Sequence, residues 1–125
     1  METGFKYHLK SDHLRIKSKI WLEDDQGQTI FGFGLLLALD TIERAGSMNA
    51  AAKEMKMGYR SLWGKIKKAE DRIGKPLLMK QVGGPAGGRS DLTPFARDLI
   101  GKFQKLKKMV DQSADQIFHD VFDKE

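Results

Sequence analysis

The sequence predicts an α+β fold that is mainly helical, and three observations lead to this fold class. Apolar and polar residues alternate strictly from Leu14 to Leu22, which is the pattern of a β-strand. Three helical patterns follow between residues 35 and 72, separated by breaks that contain glycine. One apolar stripe then continues from Pro94 to about Phe122. The 125 residues suffice for one domain with an extension.

The N-terminal part is predicted to be a flexible leader followed by a β-hairpin. Residues 1–12 show no periodicity and are interpreted as the leader. The apolar side of the first strand consists of Leu14, Ile16, Ile20 and Leu22. The turn-forming segment EDDQG leads to a short second strand from Gln28 to Phe31. We expect the apolar side of this hairpin to pack against the helices.

The next three patterns predict helices at about Leu35–Arg44, Ser47–Met55 and Tyr59–Arg72. Gly46 suits the left-handed C-cap of the first helix, and Ser47 suits the N-cap of the second. The third helix is amphipathic, and its predicted buried stripe consists of Leu62, Ile66, Ala69 and Ile73. Only the short turn Lys-Met-Gly separates it from the second helix, which predicts a helix-turn-helix pair.

A wing is predicted after the third helix. The segment from Pro76 to Met79 is its first strand, residues 83–90 are its glycine-rich tip, and residues 91–93 return the chain. Thr93 and Pro94 then suit the N-cap and first position of a last helix. The expected architecture is a winged helix-turn-helix with an N-terminal β-hairpin and a long C-terminal helix. We expect leader 1–12, winged-helix domain 13–93 and C-terminal helix 94–125.

The last helix is predicted to form a homodimer. Its apolar residues recur at alternating steps of three and four, as in a coiled coil. A small domain cannot cover so long a stripe, so we expect a second subunit to cover it. The predicted interface residues are Leu99, Phe103, Leu106, Val110 and Ile117.

Positive charge is concentrated on the helix-turn-helix and wing. Residues 47–90 contain ten Lys or Arg against three Asp or Glu, a local charge of +7 that leaves −2 for the rest of the chain. Such a distribution is expected of a protein that binds the phosphate backbone of nucleic acid. The third helix would enter a major groove about 12 Å wide.

Individual residues have alternative interpretations. Arg60 is the candidate for reading a base edge, since arginine can contact guanine with two hydrogen bonds. Tyr59 can equally contact phosphate or pack at the turn, and the lysine run can be only a solvated face. Trp63 is interpreted as a core residue. The predicted DNA-binding residues are Ser47, Asn49, Tyr59, Arg60, Ser61, Lys65, Lys67, Lys68, Lys80 and Arg89.

Other function classes lack support in the sequence. There is no Cys, which excludes disulfides and fits a reducing cytoplasm. No apolar run approaches the roughly 20 residues of a membrane span, and no secretory signal is present. His8, His13 and His119 share no spacing typical of a metal site. We therefore expect a cytoplasmic protein that is not an enzyme and holds no cofactor or metal.

Several motifs resemble the N-terminal DNA-binding domain of ModE-type molybdenum-responsive transcription regulators, which is related to that of LysR-type regulators. They include Gly46-Ser47 before an AAA-containing helix, Met57-x-Tyr59-basic-Ser61-x-Trp63, and Pro76-Leu77. The paired glycines of the wing, Leu92-Thr93, and the segments IKSKIWLE and FGFG also fit. The resemblance covers roughly residues 13–110 and implies a regulator of molybdenum-related genes that binds duplex DNA.

The chain departs from that family at a few positions. Gly58 stands where the family usually has Ser, and Ala69-Glu70 where it has Met-Asn. The family's wing is also typically richer in glycine. Full-length members continue into molybdate-binding domains for which the residues after Phe122 leave no room, so we expect no molybdate binding by this chain.

Two other function classes are alternatives to DNA binding. In the first, the chain is a protein-interaction module whose C-terminal helix docks a separate molybdate-binding partner. In the second, weaker alternative, it is an enzyme or a molybdate carrier. The steep salt dependence expected of DNA binding separates the first alternative from DNA binding. Calorimetry with molybdate or tungstate would detect the second.

Overall fold

The computed structural model describes residues 11–79 and 89–123. In that range it contains a short 3-10 turn at Ser11–His13, two strands and four α-helices. The strands are β1 (Trp21–Glu23) and β2 (Thr29–Gly32), and the helices are α1 (Phe33–Ala45), α2 (Met48–Glu54), α3 (Tyr59–Ile73) and α4 (Pro94–Phe122). The predicted α+β class, mainly helical, is confirmed. In the described part of the chain, no helix is long and apolar enough to cross a membrane.

The described residues fall into two compact units. One lies within Ile20–Lys102 and contains the β-hairpin, α1 to α3 and the first turns of α4. The other combines the residues before Ile20 with α4 from Phe103 onward. The proposed division at residues 12 and 93 stays a prediction.

The core of the first unit is formed by apolar side chains from β2, the three short helices and the base of the wing. Helix caps set the spacing of these elements along the chain. Gly46 has φ 89° and donates its N–H to Ile42 O, which ends α1 as predicted. Ser47 Oγ accepts a hydrogen bond from Ala50 N at 3.0 Å, which confirms its role as N-cap of α2. Fully buried large residues are Phe31, Leu39, Ile42, Leu62, Leu77 and Leu92.

The predicted long first strand is wrong. Only Trp21–Glu23 pairs with β2, and residues 14–20 have no regular secondary structure. The predicted inward side is also wrong, because Leu14, Ile16 and Leu22 are exposed. A strand forms only where a partner supplies hydrogen bonds, and β2 spans just four residues. The second strand, predicted at Gln28 to Phe31, is observed at Thr29–Gly32.

In the second unit, the segment that failed to form a strand lies along α4. Ser18 Oγ donates to Asp111 Oδ1 at 2.9 Å. Lys107 Nζ donates to Ser18 O at 2.7 Å and to Asp111 Oδ1 at 2.6 Å. These bonds hold the pKa of Asp111 below its usual range, first through Lys107 and then through Ser18. Residues 14–18 are thus fixed to one side of α4.

The base of the wing is present as predicted. Leu78 and Leu92 form an antiparallel bridge, flanked by hydrogen bonds from Met79 N to Asp91 O and from Thr93 N to Leu77 O. Thr93 Oγ1 accepts from Ala96 N at 3.1 Å and thereby caps α4, which has the predicted bounds. Lys80 and most of the predicted wing tip lie outside the described residues.

Candidate nucleic-acid interface

Helix α3 has one buried and one exposed side. Leu62, Ile66 and Ala69 are buried as predicted, whereas Ile73 is only half-buried. The exposed side carries five of the predicted DNA-binding residues, namely Arg60, Ser61, Lys65, Lys67 and Lys68. We call this set the basic face of α3. A helix 10–12 Å across, with such a side turned outward, fits a major groove about 12 Å wide.

Most cations of the basic face are free to meet phosphate. Among residues 11–79 and 89–123, Arg60, Lys65 and Lys68 make no ion pair. Lys67 Nζ lies 3.4 Å from Glu70 Oε1, a contact between an exposed lysine and a carboxylate that is mostly buried. Positive charge without a fixed partner on one side of a helix favours association with a polyanion.

The turn between α2 and α3 sets the direction of the basic face. Lys56 adopts φ 56°, in the left-handed region, and Met57 N donates to Ala52 O at 2.9 Å. α1 and α2 are joined by the ion pair of Arg44 Nη2 with Glu54 Oε2 at 2.7 Å. This hydrogen-bonded pair raises the pKa of Arg44 and lowers that of Glu54. The turn of the helix-turn-helix is therefore fixed by its own backbone hydrogen bonds, and the exposed Arg44–Glu54 pair adds a contact between α1 and α2.

The other predicted DNA-binding residues of the helix-turn-helix differ in how far their side chains are exposed. Ser47 is half-buried and its hydroxyl already accepts from Ala50 N, so it acts first as a cap. Asn49 is exposed on α2. Tyr59 is the first residue of α3 and is also exposed. Asn49 and Tyr59 line one groove, together with residues of the wing base.

The carboxylate of Glu70 joins α3 to the wing base, a role that the sequence analysis missed. Its Oε2 accepts from Leu77 N at 2.7 Å and from Leu78 N at 3.3 Å. Thr93 Oγ1 adds a hydrogen bond to Pro76 O at 2.9 Å. A Glu followed by a helix-ending glycine and a proline is the only sequence signal for this contact, and it is weak.

Of the two predicted DNA-binding residues of the wing, Arg89 lies in the described part of the chain and Lys80 lies outside it. The side chain of Arg89 is exposed, and Nε donates to Asp91 Oδ1 at 3.0 Å. Ser90, the next residue, is buried and donates its N–H to Gly46 O at 2.9 Å. The wing base is thereby attached to the cap between α1 and α2.

The interpretation of Trp63 as a core residue is wrong. Its side chain is 50% exposed on the side of α3 that faces the wing base. It follows Leu62 by one residue, which turns it about 100° away from that buried position. It also follows Tyr59 by four residues, so the two aromatic side chains share one side of the helix. The spacing from Tyr59 was the signal that would have placed it correctly.

The described ranges contain neither a cluster of metal-ligating side chains nor an unpaired buried polar side-chain atom. Within residues 11–79 and 89–123, no group of three or more His, Cys, Asp or Glu is placed to hold a metal ion. No buried side-chain nitrogen or oxygen there lacks a hydrogen-bond partner. What the described residues do present is a cationic helix beside a fixed wing base.

Curated relatives confirm the resemblance drawn from the motifs. The molybdenum transport protein ModE of Azotobacter vinelandii is 28% identical over 103 residues, which are 82% of this chain and 38% of that protein. The transcriptional regulator ModE of Haemophilus influenzae is 32% identical over 81 residues, 65% of this chain and 30% of its own length. The molybdenum-pterin-binding protein MopB of Rhodobacter capsulatus is 34% identical over 69 residues, 55% and 26% respectively. The chain spans less than two fifths of these relatives.

Solved structures and a family model give the fold and the family. The DNA-binding domain of CbnR, in a complex with DNA, has a TM-score of 0.53 at 20% identity, covering 73% of this chain and 99% of that one. CbnR itself, a LysR family transcriptional regulator, has a TM-score of 0.51 at 20% identity, covering 71% and 29%. The model described as "Bacterial regulatory helix-turn-helix protein, lysR family" matches residues 33–97, from α1 to the start of α4. The chain therefore belongs to the lysR family of bacterial regulatory helix-turn-helix proteins, which are DNA-binding regulators and not enzymes.

Proposed function

We propose that this chain is a sequence-specific regulator of transcription that binds duplex DNA as a homodimer and controls molybdenum-related genes in the cytoplasm. The observation that carries the proposal is the basic face of α3. Arg60, Lys67 and Lys68 are exposed on the side away from the buried stripe of Leu62, Ile66 and Ala69, on the second helix of a helix-turn-helix, and Lys65 lies at the edge of that side near Gly34. In this class of motif the second helix enters the major groove.

Within that proposal, the described residues have different roles. Arg60, in the first turn of α3, is proposed to read a base edge, because residues at the start of a recognition helix meet the bases. Lys65, Lys67 and Lys68 neutralise phosphates, as does Arg89 at the wing base. Ser61, Asn49 and the hydroxyl of Tyr59 are suited to hydrogen bonds with phosphate oxygens. Lys80 and the wing tip are proposed to extend these contacts.

The homodimer is proposed to form through α4. Beyond Phe103 the helix exposes a row of apolar side chains, among them Leu106, Met109 and Ile117. Val110, Ser113 and Ala114 lie in the same row, which has the spacing of a coiled-coil seam. A symmetric dimer would place two α3 helices on successive major-groove half-sites, about 34–36 Å or a multiple apart. The expected operator is therefore palindromic.

The connection to molybdenum rests on the relatives. Their names refer to molybdenum transport and to molybdenum-pterin binding. Selection of the genomic fragments that the chain binds tests the connection to molybdenum. Genomic fragments bound by the chain are sequenced, and enrichment upstream of genes for molybdate uptake or molybdenum-cofactor synthesis is the expected result. Enrichment elsewhere would leave DNA binding intact and refute the molybdenum assignment.

Salt dependence tests DNA binding itself. The dissociation constant for a duplex is measured between about 50 and 200 mM salt, where a protein with six to ten phosphate contacts loses roughly 10³–10⁵ in affinity. A shallow dependence would show that the basic face does not neutralise the backbone. That outcome would refute the proposed function.

Two substitutions separate base reading from phosphate contact. Arg60→Ala should cost about 1–3 kcal/mol on the operator and much less on unrelated duplex. Lys68→Ala should weaken both duplexes alike and lower the salt slope by about one. Lys68 is preferred to Lys67 because it makes no ion pair among the described residues. Lys105→Ala, an exposed cation of α4, is the matched control.

A second candidate function is an interaction module whose α4 docks a separate molybdate-binding protein. The exposed apolar row on α4 favours it, because such a row fits a partner helix as well as a second copy. Sedimentation of the purified chain distinguishes the two. A concentration-dependent dimer supports the homodimer, whereas a monomer at all concentrations supports the docking module.

A further inference from the structure

We infer that the groove between α3 and the wing base holds one sugar-phosphate strand of the duplex, with Trp63 packed against a deoxyribose. The groove of Trp63 is defined here by Tyr59 and Trp63 from α3, Pro76 and Met79 from the wing base, and Asn49 from α2. This inference rests on the proposed DNA binding and adds a residue outside the predicted contacts. It assigns that residue to the strand and not to the bases.

Three large apolar side chains from two different elements line this groove and are exposed. Trp63 is 50%, Tyr59 is 46% and Met79 is 47% exposed. The groove has a volume of about 720 Å³. An exposed cluster of aromatic side chains marks a surface that binds something, since aromatic residues are enriched where partners bury them.

The groove is preformed. Glu70 lies at its floor and holds Leu77 N and Leu78 N to α3 with one carboxylate oxygen. The bridge between Leu78 and Leu92 fixes the far wall. Because the walls of the groove are already fixed, the protein loses little conformational entropy when a ligand binds to its apolar surface.

Among the described residues, the charged side chains that line the groove are Lys67, which is exposed, and Glu70, whose mostly buried carboxylate accepts from Leu77 N and Leu78 N. Lys67 Nζ lies 5.6 Å from the centre of the Trp63 ring, so a cation and an aromatic surface stand side by side. Arg60 and Lys68 follow on the basic face of the same helix. A DNA strand alternates phosphates with the C–H surfaces of deoxyribose. It therefore matches both the lysine and the indole, whereas an acidic peptide offers no regular apolar partner.

Contact with the sugar is favoured over contact with the bases. Stacking an indole on a base of an intact duplex requires unstacking, which costs a few kcal/mol per step. Trp63 also lies on the wing side of α3, whereas Arg60 and Lys68 lie on the basic face. If α3 lies in the major groove of DNA, the DNA strand at the edge of that major groove runs between α3 and the wing. Trp63 should then contribute affinity without sequence preference and without salt dependence.

The two tryptophans of the chain give a direct measurement. Trp21 and Trp63 are almost equally exposed, at 49% and 50%. A Trp21→Phe variant leaves Trp63 as the single emitter, and a Trp63→Phe variant leaves Trp21 in the hairpin. With saturating duplex, acrylamide quenching of Trp63 should fall at least threefold on operator and on unrelated DNA alike. Quenching of Trp21 should change less.

Affinity of the Trp63→Ala variant completes the test. We expect about a tenfold loss on both duplexes with an unchanged salt slope, because apolar contact is removed and no charge. Arg60→Ala should lower mainly the affinity for the operator, and Lys68→Ala should lower the salt slope. The three variants therefore have different expected effects. The milder Met79→Ala variant should lose about threefold by the same criterion. An unchanged melting temperature is expected for both, since both side chains are exposed.

The outcomes separate this inference from the proposed function. Trp63 that stays fully accessible to acrylamide in the DNA complex would overturn the inference, as would a loss confined to the operator, which would mean base reading. Affinity unchanged in Trp63→Ala would overturn it as well. A wild-type chain that binds no duplex at all would instead refute the proposed function.

Discussion

Two stretches of α4 have the same apolar spacing but different surroundings. In residues 94–103, Ala96 is fully buried and Phe103 is only 4% exposed. In residues 104–122, Leu106 is 41% and Ile117 is 59% exposed. Periodicity identifies the apolar side of a helix, but tertiary contacts decide whether that side is covered. The uniform seam predicted from Leu99 to Ile117 therefore joins residues of two kinds.

The second stretch also differs between its own two sides. Lys107 and Asp111 bind Ser18 on one side, where residues 14–18 lie along the helix. Met109 and Ile117 line a shallow apolar surface on another side. Residues 14–18 thus lie on a different side of α4 from Met109 and Ile117. This arrangement fits a helix whose apolar row is kept for a partner.

The largest expected effect is on folding, in the first stretch. Phe103→Ala should lower the free energy of unfolding by about 3–5 kcal/mol, because it removes a buried aromatic ring. Leu106→Ala, three residues further along, should cost clearly less, since the leucine is partly exposed. Urea unfolding of both variants measures the difference. Equal losses of unfolding free energy in the two variants would show that both stretches of α4 are buried to the same extent.

A somewhat smaller effect is expected on association, in the second stretch. Leu106→Asp should raise the dimer dissociation constant about a hundredfold, because symmetry buries two unpaired carboxylates in an apolar seam. Gln112→Asp adds the same charge at an exposed position outside the apolar row and serves as the control. Sedimentation at several concentrations measures both. A dimer unchanged by Leu106→Asp would move the interface away from this seam.

Elements with local signals were predictable from the sequence. Gly46, Ser47 and Thr93 each end or begin a helix through contacts within a few residues, so their roles follow from residue type and position. The bounds of α4 and the buried stripe of α3 follow likewise from spacing. The exposed basic face opposite that stripe was the direct consequence.

Features that depend on distant partners were not predictable. The alternation from Leu14 to Leu22 specifies a strand only if a partner is long enough, and β2 reaches just Trp21–Glu23. The side chain of Glu70 serves backbone donors seven and eight residues away, beyond the turn at Gly74. Trp63 is exposed in a groove that it lines together with Pro76 and Met79, residues far along the chain from it in a separate element. Each of these outcomes is decided by the packing of separate elements.

A smaller effect on stability is expected at Gly101, and it tests whether residues 94–103 of α4 are covered on one side only. Gly101 is exposed, and a Cβ at that position would meet no described atom within 4 Å. Gly101→Ala should therefore raise the free energy of unfolding by about 0.5–1 kcal/mol through helix propensity. Gln112→Ala is the control: glutamine and alanine both favour helix, so the free energy of unfolding should change little. A loss of stability in Gly101→Ala would show that its side of α4 is occupied.

The smallest effect concerns the side of the second stretch that residues 14–18 cover. The pKa of Asp111 is lowered by the hydrogen bond from Lys107 and then by that from Ser18, so its carboxylate stabilises the native state at neutral pH. Because the folded pKa lies below the ordinary value of 3.8, this stabilisation is complete above that value and is lost as the pH falls through the lowered pKa.

The stability difference between wild type and Asp111→Asn should accordingly be present at pH 6 and vanish in strong acid, as followed by urea unfolding at each pH. Asp115→Asn removes another carboxylate that lies beside residues 14–18 on α4, outside the Ser18–Lys107–Asp111 hydrogen bonds, and serves as the control. Equal pH dependence of the two variants would mean that general charge, and not the Ser18–Lys107–Asp111 contact, holds residues 14–18 to α4. The covered side of the second stretch would then be as open in solution as its apolar row.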